Sequence, residues 1–123
     1  MKVLLVPWSK TYGFNLRIYK LPVKDHVHPE VDLRTFNGQK IMLELIDRYA
    51  LKKKLTTYNP DRSVRMAVQV ELPNDLAERI LTILSSLSHT KASVEKKVFT
   101  RLAESPSLKN LEKALAVEKL VGG

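Results

Sequence analysis

Between Val64 and Leu72 apolar and polar residues alternate: Val64, Met66, Val68, Val70 and Leu72 against Arg65, Ala67, Gln69 and Glu71. A two-residue period predicts a β-strand with one buried face. Pro73, which has no N–H for a ladder, ends it, and Asn74 or Asp75 follows as a helix N-cap. The period then changes to that of a helix. Leu76, Ile80, Ile83, Leu84 and Leu87 form one apolar stripe, and after the break at Ser88-His89-Thr90 a second stripe runs through Val94, Val98 and Leu102, flanked by Phe99 and Ala103. Ser105-Pro106-Ser107 interrupts again. Ser107 caps a third helix, with Leu108, Leu111 and Leu115 on one face and Val117, Leu120 and Val121 on a neighbouring one.

The first 58 residues read as a separate module. Val3 to Val6 is an unbroken apolar run, the pattern of a strand buried on both faces. After a turn at Ser9 to Gly13, Phe14, Leu16 and Ile18 alternate with Asn15, Arg17 and Tyr19, so the two strands predict a hairpin. Its second face, Asn15, Arg17 and Tyr19 with Lys20, mixes basic and aromatic groups that can pair with phosphate and stack on a base. Residues 21–37 read as a long irregular connection. Asn37 is the expected N-cap of a helix from about Gly38 to Leu55, with Met42, Leu45, Ile46 and Tyr49 facing the core. Lys52-Lys53-Lys54 falls in its last turn, where cations complement the helix dipole; it is also the densest basic run in the chain and a candidate phosphate contact. Asn59-Pro60-Asp61 is a turn signal and divides this module, 1–58, from a strand-helix-helix(-helix) unit, 64–123, the two either separate or joined in one compact domain. The fold class predicted is α+β: an N-terminal β-hairpin and helix, a third strand, then two to three helices. A sheet joining the hairpin to strand 64–72 would bury Val3–Val6.

The strand ending VQVELP, the helix opening DLAERI and the turn HTKAS together resemble the ribbon-helix-helix family of DNA-binding proteins, over residues 64–104. That resemblance implies a homodimer in which two copies of the strand pair antiparallel and enter the major groove. The strand's polar face, Ala67, Gln69 and Glu71, would then lie on the bases, with Gln69 placed for a bidentate contact to adenine and Arg65 a further candidate contact. Thr90, Lys91 and Ser93 would meet phosphate at the N-terminus of the second helix. The chain departs from the family at Glu71, where a basic or neutral polar residue is more usual, and at Glu95, where the second helix usually carries an apolar one.

Charge narrows the class of partner. The net charge is +8 in 123 residues, and the excess lies mainly in the first 63, with +3 in residues 1–35 and +3 in 36–63. A basic balance favours a polyanionic partner, DNA ahead of RNA. An apolar fraction of 44% fits a globular chain. No apolar run reaches the ~20 residues of a membrane helix, and MKVLLVPWSK is too short in its apolar core for a signal peptide. With no cysteine there is no disulfide or thiolate chemistry, and a cytoplasmic location is the simplest reading.

No glycine-rich phosphate loop, nucleophile elbow or triad spacing occurs, so no enzymatic activity and no cofactor are expected. Glu112 and Glu118 read as helix-surface groups beside Lys113 and Lys119. His26 and His28 have a spacing that can bind zinc or copper in an extended segment, but no second ligand cluster exists beyond His89, and no metal is expected. The functions expected are a dimeric DNA-binding regulator, a small basic subunit of a nucleoprotein complex, or a non-catalytic protein-interaction module. In the second, Lys52, Lys53 and Lys54 with Lys91, Lys96, Lys97 and Arg101 would contact RNA or single-stranded DNA whatever its sequence.

Overall fold

The apolar run Val3–Val6 demands cover on two sides, and the topology supplies it. In the computed structural model, which describes residues 1–10, 13–23, 29–59 and 64–122, β1 (Lys2–Lys10) is the central strand of a five-stranded antiparallel sheet. The others are β2 (Gly13–Lys20), β3 (Val31–Leu33), β4 (Lys52–Tyr58) and β5 (Arg65–Glu71), in spatial order β3-β2-β1-β5-β4. Helices α1 (Phe36–Tyr49), α2 (Asn74–Ser88), α3 (Ala92–Leu102) and α4 (Leu108–Gly122) complete the α+β fold. Val3 and Leu5 turn to the helices with Leu16, Ile18, Val31, Leu33 and Val70, while Leu4 and Val6 turn the other way into a small cluster with Tyr19 and Ala67. Each such side chain contributes about 1.5–3 kcal/mol by its burial. No helix residue belongs to the second cluster, so all four helices cover one face of the sheet.

Strand 65–71 is shared between the two modules: β5 pairs with β1 from Lys2↔Glu71 to Leu5↔Val68 and with β4 from Lys52↔Glu71 to Tyr58↔Arg65. The expected sheet between the hairpin and this strand is therefore present. Two strands were not expected. Val31–Leu33 pairs with β2 instead of forming part of an irregular connection. The helix expected to run to Leu55 stops at Tyr49, because Ala50 turns to extended backbone (φ −65°, ψ 122°), so Lys52, Lys53 and Lys54 lie on a strand and not in a helix's last turn.

The helical stripes pack as their spacing predicts. Ile41, Met42, Leu45 and Ile46 of α1, Ile80, Ile83, Leu84 and Leu87 of α2, and Val98, Phe99 and Leu102 of α3 are buried in one core with Leu108, Leu111 and Leu115 of α4. Ser107 caps α4 as expected, its Oγ accepting from the Asn110 N–H at 3.1 Å. Of the neighbouring α4 face, Val117 and Leu120 are exposed. Glu118 is buried, not on the surface, and accepts from Arg101 Nε at 2.7 Å, tying α3 to α4. Glu112 accepts from Arg79 of α2, a hydrogen bond that holds its carboxyl below the usual range.

The start of α1 is capped from outside. Thr35 precedes the helix without a side-chain cap, and neither it nor Asn37 fills that role. Instead Glu95 of α3, fully buried, accepts from the Thr35 N–H at 2.7 Å, from the Arg34 N–H at 3.1 Å and from Arg34 Nε at 3.2 Å. A carboxylate at a helix N-terminus meets both unpaired donors and the positive end of the dipole. Nearby, α1 and α3 approach so closely that a Cβ built on Gly38 would lie 2.6 Å from the Phe99 ring. Gly38→Ala should therefore lower stability by about 1 kcal/mol in urea unfolding, the middle of the range left when the ~1 kcal/mol gained in helix propensity is taken from an overpacking cost of about 1–3 kcal/mol. An equal or raised midpoint would mean that the Phe99 ring moves aside freely.

Candidate nucleic-acid interface

Among the described residues no helix covers the face of the sheet opposite α1 to α4, and the strand period decides what it carries. From β1 come Lys2, Leu4, Val6 and Trp8. From β2 come Asn15, Arg17 and Tyr19, and from β3 Asp32. Arg65, Ala67, Gln69 and Glu71 come from β5, and Lys52, Lys54, Thr56 and Tyr58 from β4. Leu21 and Val23 pack against its small apolar cluster. Around that cluster the face is basic: Lys2, Lys52, Lys54, Arg17 and Arg65 stand against Glu71 and Asp32.

Two features order these cations. Arg17 and Arg65 both stack on Trp8, their guanidinium carbons 4.0 and 3.9 Å from its ring centre. Because Trp8 lies on the strand between theirs, the indole fixes both side chains, each contact worth roughly 0.5–2 kcal/mol. A guanidinium positioned over a ring is pre-organised and loses less entropy when it binds an anion. Arg17 Nε lies 3.7 Å from Asp32 Oδ2, beyond hydrogen-bond reach. At the other end of the face, Lys2, Lys52, Lys53, Lys54, Gln69 and Glu71 line a shallow cavity of about 100 Å³. Glu71 lies in register between Lys2 and Lys52, so part of their charge is matched. The aromatic groups are less available: Tyr19 is buried and packs its ring 4.9 Å from that of the half-buried Tyr58.

The structure divides the candidate residues into two surfaces. Arg17, Arg65, Gln69, Lys52 and Lys54 share the open sheet face. Lys20, expected beside Arg17 and Tyr19, points to the helix side instead and meets Glu78 at 3.4 Å. Lys53 also points to the helix side and pairs with Asp47 of α1 at 2.7 Å. Thr90, Lys91 and Ser93 lie at the α2–α3 turn beside the β3 edge, where Arg34 donates to the Thr90 carbonyl at 2.8 Å and the Thr90 hydroxyl donates to Leu87 O at 2.6 Å. Lys96, Lys97 and Arg101 lie with Ser93 and Thr100 on the outer side of α3, around an open depression of about 600 Å³. The helix layer and the sheet separate this surface from Gln69. Within one chain, strand β5 and the start of the second helix thus lie on separate surfaces. Strand β5 is also paired inside the chain on both edges, fully with β4 and from Val68 to Glu71 with β1.

Trp8 and Lys2 did not stand out in the sequence. Carrying the Leu4–Val6 alternation past Pro7 would have placed Trp8 on the open face. His26 and His28 lie outside the described residues, and among the described residues no group of three or more metal-ligating side chains converges. No helix among them is long and apolar enough to cross a membrane. No family model, curated protein or solved structure matches the chain.

Proposed function

We propose that this chain binds single-stranded nucleic acid across the open face of its sheet, by phosphate contacts that do not depend on sequence. The observation that carries this reading is the pair Arg17 and Arg65, held on Trp8 on the same face as Lys2, Lys52 and Lys54. A strand laid across the sheet can meet both groups. Dimension argues against groove readout: five strands at ~4.8 Å spacing span about 19 Å, whereas the major groove is about 12 Å wide and admits a two-stranded ribbon. With Tyr19 buried, affinity comes mainly from charge.

Fluorescence anisotropy with single-stranded DNA, RNA and a mixed duplex, titrated with salt, tests it. With four or five phosphates neutralised the log–log slope on a single strand should be about −3, a loss of roughly 60-fold between 50 and 200 mM salt. Single strands should bind more tightly than the duplex. Absence of binding to all three at low salt would end the reading, and a clear duplex preference would return it to a groove-binding protein.

A further inference from the structure

The two edges of the sheet are finished differently. At β3 the helices supply partners for the backbone: the Asp32 N–H donates to Ser88 Oγ at 2.9 Å and the Arg34 N–H to Glu95. Along β4 from Lys52 to Thr57 no helix residue among the described residues supplies such a backbone partner. Strand β5 is its sole neighbour in the sheet, and none of its seven residues is buried. An edge strand directs half of its N–H and C=O groups away from its partner, a ready template for another strand. On the helix side of this edge Leu55 is 74% exposed, and Met66 beside it on β5 is 59% exposed. The helices do not reach them.

The side chains on this edge define what it can take. Lys52, Lys54, Thr56 and Tyr58 face the open side, and Lys53, Leu55 and Thr57 the helix side. A strand added to β4 would present alternate residues to these two rows. Carboxylates suit the row with Lys52 and Lys54; an apolar side chain suits the place beside Leu55. A second copy of the chain would bring three more lysines to the edge and no carboxylate, since β4 reads KKKLTTY. Lysines on an edge discourage self-pairing, and the same charges attract an acidic strand.

We propose that the outer edge of β4 docks an extended segment of a partner protein in which acidic and apolar residues alternate. Main-chain hydrogen bonds would supply affinity, and the Lys52/Lys54 row and Leu55 the specificity. This site shares Lys52 and Lys54 with the open face but adds the backbone edge and Leu55 on the helix side, and does not include the stacked arginines.

The test uses the full chain and a labelled eight-residue peptide of alternating Glu and Val. Controls are a peptide of the same composition in two blocks, and the alternating peptide N-methylated at every second residue. The alternating peptide should bind at least tenfold more tightly than either control, and slow hydrogen exchange at β4 amides. Leu55→Ser should weaken it about tenfold while leaving oligonucleotide affinity within twofold, which separates this site from the open face. Equal binding of all three peptides would reduce the effect to bulk charge and overturn the proposal, as would no binding. Concentration-dependent self-association with β4 amides already protected in the absence of peptide would assign the edge to a second copy, and overturn it too.

Discussion

Glu95→Ala should lower the stability of this protein by about 3–5 kcal/mol, the range seen when one partner of a buried charged pair is removed. The carboxylate is fully buried and serves three donors. Its loss strands the Arg34 and Thr35 N–H groups at about 1–3 kcal/mol each if they stay dry, and leaves the three-quarters-buried Arg34 side chain without its anion. Water entering the gap would recover part of that cost, hence the estimate below the full sum. Against a typical total of 5–15 kcal/mol this is a large fraction, and the melting temperature should fall by roughly 10–20 °C. Glu95→Gln, which keeps one acceptor oxygen, should fall between alanine and the native chain. Calorimetry or thermal circular dichroism measures both. A change under about 0.5 kcal/mol for alanine would show that β3 and the start of α1 are held by packing alone.

Charge reversal on the open face should have the largest effect on binding. At 0.1 M salt each phosphate contact to a single strand contributes about 0.7 log units through counterion release, so losing two costs roughly 25-fold. Lys52→Glu with Lys54→Glu should cost at least that, because the new carboxylates repel the backbone, and should flatten the salt slope by about 1.4. All three lysines from 52 to 54 are exposed, so the fold should tolerate the change. The same reversal at Lys96 and Lys97, on the outer side of α3, should leave affinity within about twofold. A reversed result, with α3 dominant, would move the nucleic-acid site to the helices. Equal losses from both pairs would mean that net charge alone is read.

These two experiments probe different consequences of one topology. Glu95 looks out of place in an apolar helical stripe until β3 and α1 are brought to it. Lys52–Lys54 looks like the end of a helix until β5 is set beside it. In each case the residue's partner is far away in sequence, and a local period has no access to it.

What the sequence determined by itself is the set of elements whose burial repeats along the chain. The run Val3–Val6 required a strand covered on both faces, the stripes of α1, α2, α3 and α4 required helices against one core, and Ser107 required a helix start. Local spacing suffices there because a helix or a half-buried strand repeats its exposure every 3.6 or 2 residues. The tertiary structure alone decided the rest. Strand β3 is three residues long, too short to show a period, and β4 has no buried residue to mark one. Both exist because a neighbouring strand accepts their backbone hydrogen bonds. The same long-range pairing placed Trp8 between Arg17 and Arg65, and parted Gln69 and Lys54 from Lys91 and Lys96 by a sheet and a layer of helices.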